Sequence, residues 1–300
     1  MATPFFTVFT PTFNRAHTLL RPYESLCAQS CRDFEWLIVD DGSTDGTAQL
    51  VAGWIAEGKL PIRYIQQPNG GKHTAFNHGV REARGELFVP LDSDDWCSPD
   101  ALERFAFHWQ KIPVAEREGF SGVSCLCHDE HGKVVGSAFP ASPLDIKLFD
   151  LLRCGGMVGE KWGCARTEVL REYPFPEFPD EKFVPEALVW NRIACHYKIR
   201  FINEALRVYA DSGDGLVASI LRIRMQSPRS AKLYYVEAAR LPLGMKHRLA
   251  AWLNYGRFAV HAGLGPLAIL QEGAHPFALP AWGAGLLLAW RDRLKLKRKA

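Results

Sequence analysis

The sequence predicts an α/β protein: a mixed, mainly parallel sheet flanked by helices, followed by a helical C-terminal extension. Three observations carry that reading. Over roughly the first hundred residues, short β-rich runs alternate with helical stretches, the order that right-handed crossovers turn into a parallel sheet. Acidic and polar clusters follow three of the β runs, at the strand ends where open α/β sheets place ligands. From about Leu216 the chain reads as apolar and helical, punctuated by Pro228, Pro242, Pro266, Pro276 and Pro280. The expected division is therefore a domain over 1–215 and an extension over 216–300.

The elements follow in order. Phe6–Phe9 is β-rich and ends at Pro11, and Ala16–Ser30 reads as a helix. Phe34–Asp40 is a strand running into a turn-rich stretch that ends at Gly46, and Thr47–Glu57 is helical. Ile62–Gln66 predicts a strand, Lys72–Arg84 a helix and Glu86–Leu91 a strand. Ser98-Pro99-Asp100 starts a helix over 100–110, with Ser as N-cap and Pro in the first turn. Gly122–Leu126 and Lys133–Val135 flank Asp129-Glu-His-Gly132 as a hairpin. Glu186–Tyr197 reads as a helix, then Ile199–Asn203 and Leu206–Tyr209 as two short strands.

Composition narrows the function classes. The 300 residues carry 36 Lys plus Arg against 33 Asp plus Glu, a net +3, with 47% hydrophobic residues. That is globular, neither disordered nor fibrous. Six bases and one acid fall in the last ten residues, Arg291–Ala300, so the rest is slightly acidic. A basic nucleic-acid-binding face is not indicated. Eight cysteines in irregular spacing, and a Met1-Ala-Thr-Pro-Phe-Phe start without a basic flank and apolar core, predict a reducing, cytoplasmic setting. Cys125-Leu-Cys127-His128 with His131 misses standard zinc spacing.

Three clusters carry the chemistry: Thr10-Pro-Thr-Phe-Asn-Arg15 after the first strand, Asp40-Asp-Gly-Ser-Thr-Asp-Gly-Thr47 after the second, and Asp92-Ser-Asp-Asp95 after the fourth. Carboxylates this close repel unless a cation compensates them. Hard oxygen ligands suit Mg²⁺ or Mn²⁺, which complete their shell with phosphates. Gly70-Gly-Lys-His-Thr-Ala-Phe-Asn77 adds Lys72 and Asn77 at a helix start favourable to phosphate, without Walker spacing.

These residues resemble family 2 glycosyltransferases of the GT-A fold, with its Rossmann-like, mainly parallel sheet. The resemblance rests on Thr10–Arg15, Val39-Asp-Asp-Gly-Ser-Thr-Asp-Gly-Thr47, Asn69-Gly-Gly-Lys-His-x-Ala-x-Asn-x-Gly79, Ala83-Arg-Gly-Glu86 and Leu91-Asp-Ser-Asp-Asp95, in that order. It implies a nucleotide-diphosphate sugar donor, most often a UDP-sugar. On this carry-over Thr10, Pro11 and Arg15 border the nucleotide, with Lys72, Asn77 and Ser93 beside them. Asp41 contacts the base. Asp94 contacts the metal directly, Asp92 stands nearer the ribose or shares the metal, and Asp95 substitutes in either role. Aligning Trp190 and Arg192 with the family's Leu-Trp-x-Arg pattern places Glu186 on the general base and Pro185 on its acidic neighbour, so the acidic pair is broken; Asp180 and Glu181 stand as alternatives. Glu160, Lys161 and Trp162 resemble an acceptor-facing segment, with core as the alternative for Trp162. Asp214-Gly-Leu216 with Arg222, Arg224 and Arg229 resembles a segment closing over the diphosphate, with a solvated helix face as the alternative for the arginines.

The implied reaction is an inverting, metal-dependent sugar transfer to a hydroxyl of a saccharide or lipid-linked acceptor. Competing readings are a nucleotidyltransferase acting on a sugar phosphate, disfavoured by the lack of a Gly-rich basic loop near strand one, and a non-catalytic sugar-nucleotide-binding protein. In the extension, Trp282, Leu286–Leu288 and Trp290 before the basic tail suit an amphipathic segment on an anionic membrane surface, at the inner face of the cytoplasmic membrane. A helix packed on the body, or a true span spoiled by two prolines, are the alternatives.

Overall fold

A computed structural model describes residues 3–153, 155, 157–209, 216–271 and 276–297. The chain divides into two compact units. One comprises Met1–Pro174 with Arg192–Gly213, the other Phe175–Asn191 with Asp214–Ala300.

The first unit is built on a mixed sheet. β1 (Phe6–Thr12), β2 (Phe34–Asp40), β3 (Ile62–Gln66) and β4 (Leu87–Pro90) alternate with α1 (Leu20–Cys27), α2 (Thr47–Glu57) and α3 (Lys72–Glu82). Next come β5 (Trp96–Cys97), α4 (Ala101–Gln110), a 3-10 turn at 114–119, β6 (Phe120–His128), β7 (Leu144–Ile146), α5 (Leu148–Arg153), β8 (Lys161–Arg166) and α6 (Thr167–Glu172). After α7 (Ala187–His196), which crosses the unit boundary, β9 (Lys198–Val208) returns to the sheet. The order is β3-β2-β1-β4-β8-β6-β9-β5, with β7 also on β9. The β1–β2, β1–β4 and β2–β3 pairs are parallel, while β8 runs antiparallel to β4 and β6.

β1 and β2 are buried at every position, as central strands of a sheet covered on both faces are; their polar side chains are buried with them, the Thr7 hydroxyl donating to Glu35 Oε1 at 2.8 Å. One face packs Trp36, Trp54 and Tyr23 as a stack, Tyr23 and Trp54 lying 4.2 Å apart at 5°. The other packs Phe9 on Phe76 and Phe88.

Two expectations change. The hairpin at Asp129–Gly132 is short, with one bridge, His128 to Val134, flanked by the Asp129 amide donating to the Lys133 carbonyl and the Val135 amide to the Cys127 carbonyl; β6 finds its ladder partners in β8 and β9. The two short strands after α7 are one strand, β9, whose register against β6 shifts at bulges.

The second unit is helical: α8 (Leu216–Gln226), α9 (Pro228–Ala238), α10 (Met245–His261), α11 (Pro266–Gln271) and α12 (Ala278–Lys297). α10 and α12 meet backbone to backbone, since a Cβ at Gly256 would lie 1.8 Å from the Ala281 carbonyl oxygen. Across the same contact Asp292, 2% exposed, takes a two-pronged ion pair from Arg257 and a 3.1 Å contact from His261 Nε2. Burial pushes the Asp292 carboxyl up, but these donors outweigh it and hold it below the usual carboxylate value. A lowered folded-state value means that the carboxylate adds stability above its unfolded value, near 3.9, and loses it as the pH falls through the folded value. Thermal melts should therefore show the second unit weakening from about pH 5 downward. Asp292→Asn should lower stability near neutrality and flatten that slope; a variant melting like wild type at both ends would refute the assignment.

Candidate active site

The carboxyl ends of β1, β2 and β4 lie side by side, with Thr12 opposite Asp40 and Phe9 opposite Pro90. The Leu91 amide extends the ladder by donating to the Phe9 carbonyl at 2.8 Å, so the Asp92–Asp95 turn leaves the sheet beside the end of β1. All three clusters therefore open from one edge.

At the end of β2 both aspartates are engaged. Asp40, fully buried, accepts from the Ser43 amide at 2.7 Å and from the Tyr64 hydroxyl. Asp41 Oδ1 accepts from Gln67 Nε2 at 2.8 Å and the Gly70 amide at 2.9 Å. Its Oδ2 accepts from Asn69 Nδ2 at 3.1 Å and the Gly71 amide at 2.7 Å. Asp41 thus latches the Asn69–Gly71 loop, and Gly42 allows the turn that aims it, with φ at 83°. Replacement by Asn would set an NH₂ against two of these donors, at roughly 2–4 kcal/mol. A fall of that size in urea-denaturation stability is expected for Asp41→Asn, and an unchanged midpoint would discard the latch.

The latch places Lys72, at the start of α3, so that its ammonium lies 2.9 Å from Asp92 Oδ1 and 3.0 Å from Oδ2. Partial desolvation pushes the Asp92 carboxyl up, but Lys72, Arg207 and Arg15 more than offset it, leaving the group below the usual range. Ser93 is buried and Asp94 half-buried, the Asp94 carbonyl accepting from Arg21 Nη1 at 3.3 Å. Asp95 is drawn inward: 7% exposed, it pairs at 3.1 Å with Arg207 of β9, equally buried. Arg207 Nη2 reaches Glu160 Oε1 at 3.0 Å. One buried guanidinium thus fastens the Asp92–Asp95 turn to the segment before β8, and Asp95 is engaged in structure.

The remaining predicted residues are placed as follows. Arg15 is exposed and Pro11 buried. Thr10 is buried, its hydroxyl accepting from Trp36 Nε1 at 2.9 Å. The Thr12 hydroxyl, buried at the same strand end, has no hydrogen-bond partner among the described residues. Asn77 is buried on α3. Lys161 Nζ donates to the Val158 carbonyl at 2.8 Å. Trp162 is taken into the core against Phe105, its Nε1 donating to the Pro90 carbonyl at 2.5 Å.

Glu186 belongs to the second unit, exposed just before α7, its carbonyl accepting from the Val189 and Trp190 amides. Of the alternatives, Asp180 is exposed in a left-handed turn, with φ at 66°. Glu181 is buried and accepts from the Arg229 amide at 2.7 Å and the Ser230 amide at 2.9 Å, stabilising the start of α9. Arg222 is exposed, whereas Arg224 lies over the rings of Tyr234 and Tyr235. Asp214 lies outside the described residues.

Among the described residues no group of three or more His, Cys, Asp or Glu is placed to hold a metal ion. The carboxylates of Asp92 and Asp94 on one turn nevertheless fit a hard divalent ion of the kind that takes one or two protein carboxylates and fills its shell with water and phosphate.

Residues 7–116 match the model of the family described as glycosyl transferase family 2. The match takes in little more than a third of the chain, and over that segment the chain is similar to the family. Over 100 residues the chain is 38% identical to a chondroitin synthase of Escherichia coli and 35% identical to a hyaluronan synthase of Pasteurella multocida. Each match takes in 33% of this chain but only 14% and 10% of those synthases. Among solved structures, S. aureus TarS 1-349 in complex with UDP-GlcNAc is 21% identical, covering 93% of this chain and 79% of that one at a TM-score of 0.62. A mannosyltransferase of Pyrobaculum calidifontis in complex with GDP-Man and Mn²⁺ is 24% identical, covering 96% and 81% at 0.55. The chain therefore shares the GT-A fold of these structures.

Proposed function

We propose that this protein is an inverting glycosyltransferase that moves a sugar from a nucleotide-diphosphate donor, a UDP-sugar, to a hydroxyl of a saccharide or lipid-linked acceptor. The observation that carries the reading is the meeting of the Thr10–Arg15, Asp40–Gly71 and Asp92–Asp95 segments at one sheet edge, with Lys72 held at Asp92 by the Asp41 latch. The nucleotide sugars bound by the neighbouring structures support the donor class. The Mn²⁺ of one neighbour supports the cation.

In this reading the Thr12 hydroxyl and Arg15 contact the nucleotide from β1, while Asn77 and Ser93 shape the wall. Lys72 exchanges its partner Asp92 for the donor phosphates. Asp92 and Asp94 would hold a divalent Mn²⁺ or Mg²⁺, which would supply charge neutralisation for the leaving nucleoside diphosphate. Glu186 takes the proton of the acceptor hydroxyl as its oxygen attacks the anomeric carbon from the face opposite the leaving group, which inverts that centre. We place the enzyme on the cytoplasmic side, working at an anionic membrane surface.

A screen of UDP- and GDP-sugars for Mn²⁺-dependent release of nucleoside diphosphate, with and without saccharide acceptors, tests the reading. One sugar nucleotide should be turned over faster with an acceptor present. Release of pyrophosphate from a nucleoside triphosphate and a sugar phosphate would overturn it in favour of a nucleotidyltransferase.

A further inference from the structure

Helix α12 buries one side and exposes the other, and both are apolar. Ala278, Ala281, Gly285, Ala289 and Asp292 face inward, with Gly285 pressed on the Gly256 backbone of α10. Trp282 also turns inward, its Nε1 donating to the Leu264 carbonyl at 2.8 Å, so it is not part of any outer face. The opposite side presents Leu279, Leu286, Leu287 and Trp290 to solvent, Leu287 at 73% and Trp290 at 63% exposure. No Asp, Glu, Lys or Arg occurs from Pro276 to Trp290. A solvated helix face normally carries charge, and an uncharged outer face marks a surface that is covered in use.

The charges that follow identify the cover. Arg291, Arg293 and Lys295 are exposed directly after the apolar stretch. The one acid among them, Asp292, is buried and spent on Arg257 and His261, so it leaves these bases uncompensated. A second copy of this helix does not complement them. Antiparallel pairing sets the bases against residues 276–283, which hold no acid, and parallel pairing sets bases against bases. A bilayer with anionic headgroups matches both halves: acyl chains receive the leucines and Trp290, and headgroups receive the arginines and lysines. Among the described residues no helix is long and apolar enough to cross a membrane, so α12 would lie along the surface.

We infer that the outer face of α12, from Leu279 to Lys295, is a docking surface for an anionic lipid bilayer. This deepens the proposed reading by naming the surface that brings the enzyme to a lipid-linked acceptor. It is tested without any sugar donor, so its failure leaves the transfer reaction standing.

The full chain is floated with vesicles of phosphatidylcholine alone, or with about 30% phosphatidylglycerol. Wild type should float only with the anionic vesicles and detach at about 0.5 M salt. Leu287→Ser with Trp290→Ser, and separately Arg291→Gln with Arg293→Gln, should each weaken binding at least about tenfold while melting as wild type does. Absence of flotation, or equal flotation of the Leu287/Trp290 variant, overturns the inference. Sedimentation showing a dimer that the same variant disperses would give the face to a second copy and overturn it as well.

Discussion

Glu186→Gln is expected to lower sugar transfer by about 10²–10⁴-fold while leaving donor binding within about twofold, because the amide keeps the shape of the side chain and loses its capacity to accept a proton. The neighbours supply internal controls. Asp180→Asn, in an exposed turn, should transfer sugar as wild type does. Glu181→Gln should act through stability instead, since its carboxylate holds the Arg229 and Ser230 amides at the start of α9. Near-wild-type turnover in Glu186→Gln, measured by nucleoside-diphosphate release at saturating acceptor, would remove the base assignment. Loss of turnover in Asp180→Asn would move it there.

Asp94→Asn carries the second large effect. Charge stabilisation at a leaving group is worth roughly 10²–10³ in turnover when one contributor is removed. The substitution should reduce turnover by that factor, weaken donor binding and raise the Mn²⁺ concentration needed for half-activity. The Asp94 carbonyl, tied to Arg21, is untouched by the change, so the turn should persist and the melting temperature should hold. Calorimetric titration of UDP with and without Mn²⁺ separates the roles. An unchanged cation requirement together with unchanged UDP affinity would refute metal contact by Asp94.

Much of the first unit was legible because burial on both sheet faces leaves plain marks. β2, α2 and β3 begin and end where the apolar runs and turn residues place them. The antiparallel part of the sheet was not. β8 is six residues with a glycine inside, and Lys161 and Trp162 read equally well as a site segment. β9 was divided at Glu204-Ala205 because bulges let polar residues interrupt one continuous strand. At the site, the motifs located the strand-end clusters but not how their oxygens are spent. Nothing in Val39-Asp-Asp-Gly says that four internal donors fill Asp41, or that the Thr10 hydroxyl is taken by Trp36 while that of Thr12 has no partner among the described residues. The pattern Asn69-Gly-Gly, two amides and a side-chain donor in succession, was the available signal for the latch. Periodicity failed on α12 for a related reason: with both faces apolar, the pattern has no contrast to reveal which side is packed.

The buried contact between Asp95 and Arg207 also sets an order of events in folding. β5, which follows the aspartate turn, has its ladder partner on β9, with Trp96 opposite Val208, more than a hundred residues later in the chain. Pairings across so long a loop form slowly, and on the ribosome they wait until the second strand has emerged. The parallel half, β1 to β4, has all its strands available by residue 90. Within the aspartate turn, Asp92 has Lys72 as its counter-charge, whereas Asp95 acquires one only after residue 207 has been made. A nascent or C-terminally shortened chain can therefore possess the parallel β1–β4 part of the sheet while Asp95 is still unanchored.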